Sequence, residues 1–182
     1  MLFETKRLYA RQLTADDFDD AAEILTDPQT MYAYPSPKTR EEVHAFIQKH
    51  LDNYEKHGYS WWAFIDKESG EYVGHAGLLW LDLEGEDILE VGYHVKKKHW
   101  GKGYATEMAR AVKRWAFAHT DAERVYSLIA QTNRASVHVA EKNGMRLERA
   151  YTWYNFFGKD VPHFAYMARR QEAESSAPDA GE

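Results

Sequence analysis

The chain of 182 residues contains no cysteine. That excludes disulfides, thiolate metal sites and a cysteine nucleophile. It also lacks an uninterrupted apolar run of membrane-spanning length. Its first residues, Met1-Leu2-Phe3-Glu4-Thr5-Lys6-Arg7, lack the charged-then-apolar order of a secretory signal. Cytoplasmic residence without a membrane partner is therefore expected. Basic residues are not in excess, with 23 Lys and Arg against 29 Asp and Glu and a net charge of −6. Four of those acids, Glu172, Glu174, Asp179 and Glu182, lie in a final stretch of Ser, Ala, Pro, Gly and acid. Without them the charge is near −2 (−6 plus 4), which does not suggest a nucleic-acid binder. No internal repeat or interdomain linker interrupts the rest. The expectation is one domain over residues 1–170 and a disordered acidic tail over 171–182.

What is present alternates strand and helix patterns. Thr5 to Leu13 reads as a strand, and Thr14 as the N-cap of a helix running to about Leu25. A proline-bounded loop over 27–37 carries Met31, Tyr32 and Tyr34. Thr39 and Glu42 form a capping box for a second helix, with Gly58 just beyond its end. Strand-like runs at 60–66, 72–81 and 88–95 make an antiparallel meander. Gly103 to about His119 is an amphipathic helix, and Arg124 to Ala130 is a strand expected to pair parallel with 88–95. A short helix over 133–143 ends at Gly144, and a hairpin around Gly158-Lys159-Asp160 closes the chain. The order β-α-α-β-β-β-α-β-α-β-β predicts an α+β fold, with a mixed, mostly antiparallel sheet flanked by helices.

The stretch Lys98-His99-Trp100-Gly101-Lys102-Gly103-Tyr104-Ala105-Thr106-Glu107 links one of those strands to the amphipathic helix. Two glycines admit close backbone approach, and the helix start offers unpaired N–H groups and a positive dipole end. With Lys96, Lys97, Lys98, His99 and Lys102 in the same turn, it reads as a site for a phosphate-bearing anion. A P-loop is excluded because Tyr104 follows Gly103 and the glycines are too close together. A dinucleotide fingerprint is excluded because Thr106 stands where its third glycine belongs.

Lys98 to Gly103 resembles the acetyl-coenzyme A motif of the GCN5-related N-acetyltransferase (GNAT) superfamily, with Lys98 in place of Gln or Arg. Glu90-Val91-Gly92-Tyr93-His94-Val95 resembles that family's fourth strand. Asn133-Arg134-Ala135-Ser136 and Glu141-Lys142-Asn143-Gly144-Met145 resemble its following helix, with Met145 where Phe is commoner. Thr5-Lys6-Arg7-Leu8 is similar to the start of the ribosomal-protein N-terminal acetyltransferase branch. The resemblance implies an acyl-coenzyme A N-acyltransferase fold and acetyl-coenzyme A as co-substrate. The pyrophosphate would lie on the amides of Trp100, Gly101, Lys102, Gly103, Tyr104 and Ala105, with Lys98, His99 and Thr106 beside it. The pantetheine would run along Tyr93, His94 and Val95 as an added strand and be held by Asn133. A backbone N–H there would stabilise the oxyanion. Asn133 is also placed as an ordinary helix N-cap.

The implied reaction is direct attack of a primary amine in a ternary complex. Deprotonating an α-amine at pH 7 costs roughly 1.4 kcal/mol, and a lysine about 4.6 kcal/mol, so a weak base suffices. Glu90 is the first candidate base, or else a charge on a solvent-facing strand. Ser136 is the candidate acid for the departing thiolate and a coenzyme neighbour, or else a helix serine; Tyr154 is a second candidate acid. Tyr32, Tyr34 and Trp153 are expected to line the acceptor pocket, while most other aromatics belong to the core. No histidine pair has the spacing of a zinc site, so no metal is expected. The acceptor is a protein N-terminus or a small amine. The rival reading is a non-catalytic acyl-coenzyme A sensor on the same fold. The closing hairpin offers aromatics for a homodimer.

Overall fold

A computed structural model describes residues 1–171. The expected tail therefore lies outside the described residues, apart from its first position. Eight strands form one sheet: β1 (Phe3–Glu4), β2 (Leu8–Gln12), β3 (Trp61–Asp66), β4 (Tyr72–Leu83), β5 (Glu86–Val95), β6 (Arg124–Ala130), β7 (Arg146–Phe156) and β8 (Lys159–Arg169). Their spatial order is β1-β2-β3-β4-β5-β6-β8-β7. Every neighbouring pair is antiparallel except β5 and β6. The helices are α1 (Phe18–Leu25), α2 (Arg40–His57), α3 (Tyr104–His119) and α4 (Arg134–Lys142). The α+β class and mixed sheet agree with the sequence reading. The element order gains one strand: the expected first strand, 5–13, begins only at Leu8, and Phe3–Glu4 ahead of it pair back on β2 as β1.

The sheet separates two cores. Met108, Val112 and Ala116 of α3 and Ala140 of α4 pack on Leu78, Leu89 and Val91. On the other face, Ile24 of α1 and Val43 and Ile47 of α2 pack on Ala63 and Ile65. Strand alternation thus sends Leu89 and Val91 toward α3, and Glu90, Gly92 and His94 toward α2. Helix ends follow the sequence signals. Thr39 accepts a hydrogen bond from the Glu42 N–H, and Gly58 ends α2 at φ 79°. Thr14 caps a single 3-10 turn, Ala15–Asp17, before α1 begins.

The start of α3 is fixed to the N-terminal strands by one carboxylate. Glu107 accepts from Thr5 Oγ1 at 2.6 Å, from the Arg7 backbone N–H at 2.8 Å and from Arg7 Nε at 2.7 Å. Arg7 Nη1 donates to the Lys102 carbonyl at 2.8 Å, which closes the tie. Burial opposes ionisation of Glu107, but these donors outweigh it and hold its pKa below the usual value. A depressed carboxylate stabilises the fold above its unfolded pKa, and the gain is lost as pH falls through the folded pKa. Glu107→Ala should cost about 2 kcal/mol at pH 7, an amount discounted because Arg7 is partly solvated. Urea denaturation at pH 7 and pH 3 checks this: the cost should shrink at pH 3, and a cost below about 0.5 kcal/mol at pH 7 would contradict it.

Candidate active site

The parallel seam at the middle of the sheet is barely closed. Strands β5 and β6 register at one pair, Glu90 with Tyr126. Beyond it they diverge, and side chains occupy the ladder positions. Ser127 Oγ donates to the Val91 carbonyl at 2.7 Å. The Leu128 N–H faces the Glu90 carboxylate and favours its charged form. The opening is the floor of a cavity of about 1310 Å³. Single-ligand pockets usually hold about 300–1,000 Å³. This one has room for two reactants.

Glu90 sits at the throat. Burial raises its pKa from the ordinary 4.5 to about 7, and the Leu128 N–H and Lys49 offset this only in part. Two arms meet there. One runs along Tyr93, His94 and Val95 to Trp100, Gly101 and the start of α3, with Asn133 and Ser136 of the facing α4. Gly101 (φ 72°) and Gly103 (φ 80°) take the left-handed conformation that a side chain disfavours. Gly103 caps α3 without a side-chain acceptor, so the first amides of the helix face outward unpaired. Asn133 Oδ1 accepts from the Ser136 N–H at 3.1 Å and from Tyr32 Oη at 2.6 Å. Its Nδ2 has no partner among the described residues. Tyr93 Oη donates to the Ser136 carbonyl at 3.0 Å, which seats α4 over the arm.

The basic residues of the turn are engaged elsewhere. Lys96 is buried and pairs with Asp20, at 2.6 Å, and with Glu23 of α1. Lys97 donates to Gln29, and Lys98 pairs with Glu71 at 3.2 Å. Neither Lys98 nor Lys102 lines the cavity, whereas His99, Trp100, Tyr104, Ala105 and Thr106 do. The positive character of the turn therefore comes mainly from oriented backbone amides. Trp100 Nε1 also donates to the Val95 carbonyl at 2.9 Å, tying the turn to β5.

The second arm is walled by rings. Tyr34 Oη meets His94 Nε2 at 3.0 Å, His94 Nδ1 meets His75 Nε2 at 3.1 Å, and His75 Nδ1 meets Tyr72 Oη at 2.8 Å. Burial lowers the pKa of both imidazoles, that of His94 to about 4, so at neutral pH the relay is uncharged. Tyr34 stacks on Phe156, with ring centres 5.6 Å apart, and Phe156 lies 4.6 Å from Trp153. The Trp61 indole lies against Gly92, where an added Cβ would approach Cζ2 to 2.2 Å.

One sequence expectation changes. Tyr154 is 74 % exposed and does not line the cavity. Strand alternation turns it away from Trp153 and Asn155, and a register shift between Trp153 and Phe156 brings Phe156 inward. Tyr32 also lines the cavity and bridges to the N-cap of α4. The 27–37 loop is tied down, with the Lys38 N–H on the Leu25 carbonyl at 2.8 Å and Tyr34 locked on His94. Tyr34 and Trp153 line the cavity. Phe46, His50, Trp61 and His75 had no local signal as site residues; they meet only because α2 and the β3-β4-β5 register bring them together.

Among the described residues no cluster of metal-binding side chains is found, and no helix is long and apolar enough to cross a membrane. Because Glu90 has a raised folded pKa, its ionisation destabilises the fold progressively from about pH 4.5 to 7 and fully above that. Glu90→Gln should therefore raise stability at pH 8, by up to roughly 3 kcal/mol, and leave it unchanged at pH 4. Thermal melts at the two pH values check the sign, and a loss of stability at pH 8 would contradict the assigned burial.

Residues 7–146 match the family model described as an acetyltransferase (GNAT) domain. An uncharacterized Bacillus subtilis protein, YkkB, is 32 % identical over 132 residues, covering 72 % of this chain and 77 % of its own. An uncharacterized N-acetyltransferase of the same organism, YnaD, is 29 % identical over 164 residues, covering 89 % of each. The crystal structure of spermidine N-acetyltransferase from Vibrio cholerae, in complex with coenzyme A and spermine, superposes with a TM-score of 0.75 at 16 % identity. That match covers 93 % of this chain and 99 % of the other, and it speaks for the fold.

Proposed function

The chain belongs to the GNAT acetyltransferase family, and on that premise we propose that it transfers an acetyl group from acetyl-coenzyme A to a primary amine by direct attack. The observation that carries the proposal is the opened β5–β6 seam: a free strand edge leads from the glycine turn to one carboxylate whose pKa is about 7. An edge with unpaired amide and carbonyl groups accepts an added strand, and the amide-bearing pantetheine supplies one. The pyrophosphate would rest on the amides from Gly101 to Ala105, the site type that a helix start provides. Asn133 Nδ2 is free to donate to a pantetheine carbonyl. Tyr32 would fasten that residue from the other side.

In this reading the acceptor enters the ring-walled arm. Its neutral nitrogen attacks the thioester carbon while a β5 backbone N–H near residues 93–95 takes the developing oxyanion. Glu90 removes the ammonium proton, directly or through one water. A base poised near the working pH combines availability with driving force. The C–S bond then breaks, and Ser136, whose hydroxyl lies within reach of the Tyr93 hydroxyl, supplies the proton to the thiolate. The acceptor is a protein N-terminal α-amine or a small-molecule amine.

Two experiments test the reading. Acetyl-coenzyme A should raise the melting temperature by several degrees, ATP should not, and Gly103→Trp should abolish the shift. Glu90→Gln should lower kcat/KM by about 10²–10⁴-fold and remove a rising limb near pH 7, while the limb set by the acceptor's own pKa remains. Binding of acetyl-coenzyme A without turnover of any amine would instead make the protein an acyl-coenzyme A sensor.

A further inference from the structure

Two buried N–H groups on the wall of the second arm lack partners. Trp61 is 5 % exposed, lines the cavity, and its Nε1 has no hydrogen-bond acceptor among the described residues. His50 is 1 % exposed, also lines the cavity, and its Nε2 is equally unpartnered. The tautomer of His50 follows from its neighbours. Ser60 Oγ accepts from Asn53 Nδ2 at 3.3 Å, and the acceptor its own proton finds is His50 Nδ1 at 2.7 Å. His50 therefore carries its proton on Nε2 and is a donor there. Burial keeps the ring neutral, with a pKa of about 3. The His50 and Trp61 rings lie at 19°, with centres 5.7 Å apart.

A buried donor without a partner costs about 1–3 kcal/mol. On neighbouring, near-parallel rings that line the cavity, two such donors would be satisfied by an accepting oxygen once a small ring shift exposes nitrogens that now have under 1 Å² of accessible surface. Around them the wall is aromatic: Phe46 packs at 5.9 Å on Trp61, and Trp153, Phe156 and Tyr34 close the opposite side. The charge balance points the same way. Lys38, Lys49 and Lys142 line the cavity as a whole against Glu42 and Glu90, with Lys142 on the α4 side, so the acceptor arm carries no excess of carboxylates. A polycation would meet repulsion and, apart from the base, a single carboxylate.

We infer that the acceptor is an amine on an aromatic or large apolar body that carries a hydrogen-bond-accepting oxygen, read by Trp61 Nε1 and His50 Nε2, and that it is not a polyamine. The oxygen is a carboxylate or an amide carbonyl, as in an amino acid or its amide. This rests on the acyl-transfer reading only in taking the ring-walled arm as the acceptor's place. Gly92 is part of the device, since any larger residue would push the indole off the position it holds over β5.

The test is calorimetric binding of amines to the full chain saturated with coenzyme A, followed by turnover with acetyl-coenzyme A. The panel is L-phenylalanine, L-phenylalaninamide, 2-phenylethylamine and spermidine. Expected is at least about 10-fold tighter binding of one oxygen-bearing aromatic amine than of 2-phenylethylamine, and about 100-fold over spermidine. In Trp61→Phe and His50→Phe the first ratio should collapse toward one. Amine basicity is common to all three proteins, so the collapse isolates the two donors. Equal affinities, a preference for spermidine, or variants that keep the ratio would overturn the inference while leaving acyl transfer standing. The binding preference without turnover would uphold it and sink the transferase reading. Should a variant fold poorly by circular dichroism, the wild-type panel decides.

Discussion

The rest of the site depends on the failure of two strands to pair. β5 and β6 are the sole parallel neighbours among the described strands, and they share one register pair. Parallel pairing is slanted and slightly less stable per residue, so it is the seam most easily opened. Here a side chain completes the opening, with Ser127 taking the Val91 carbonyl, and the Leu128 amide favours the charged form of Glu90. The β4–β5 ladder, unbroken from Gly74–Val95 to Leu83–Glu86, holds the other side rigid. A stiff strand with one free edge is the result.

The chemistry follows from that geometry. Glu90 stands where the strands part, close enough to the interior for burial to raise its pKa and open enough to the cavity to meet a reactant. The glycine turn sits at the far end of the same edge, and its approach is set by Glu107, Arg7 and the Trp100 indole. Lys96, Lys97 and Lys98 are held by Asp20, Glu23, Gln29 and Glu71. Anion binding at this turn is then a property of backbone direction, which a change of one lysine should barely alter. On the opposite side of Glu90, the neutral relay from Tyr34 to Tyr72 keeps the second arm uncharged and fixes its rings.

Much of this was legible in the sequence. The glycine turn, the strand-turn-helix context, Thr39 with Glu42 and Gly58, and the parallel placement of 124–130 all follow from local chemistry. Glu90 and Asn133 could be located because they lie within recognisable stretches, although Asn133 is both cap and wall. Strand β1 and the turn at 5–7 were not legible: there Thr5 and Arg7 turn to Glu107, about a hundred residues on. Likewise Tyr154 was misplaced, turned outward by strand alternation beside a register shift in β7. The donor pair of His50 and Trp61 is wholly tertiary. It needs α2 laid on β3, and a glycine on β5 whose missing side chain admits the indole.

The central claim is that the free edge of β5 and the first amides of α3 receive one extended ligand. Amide hydrogen exchange, read residue by residue with and without coenzyme A, addresses it directly. The account predicts new protection confined to two stretches, residues 92–95 and 101–106, with the β3–β4 amides unchanged. Protection spread evenly over the fold, or absent from β5 while the ligand is bound, would contradict it.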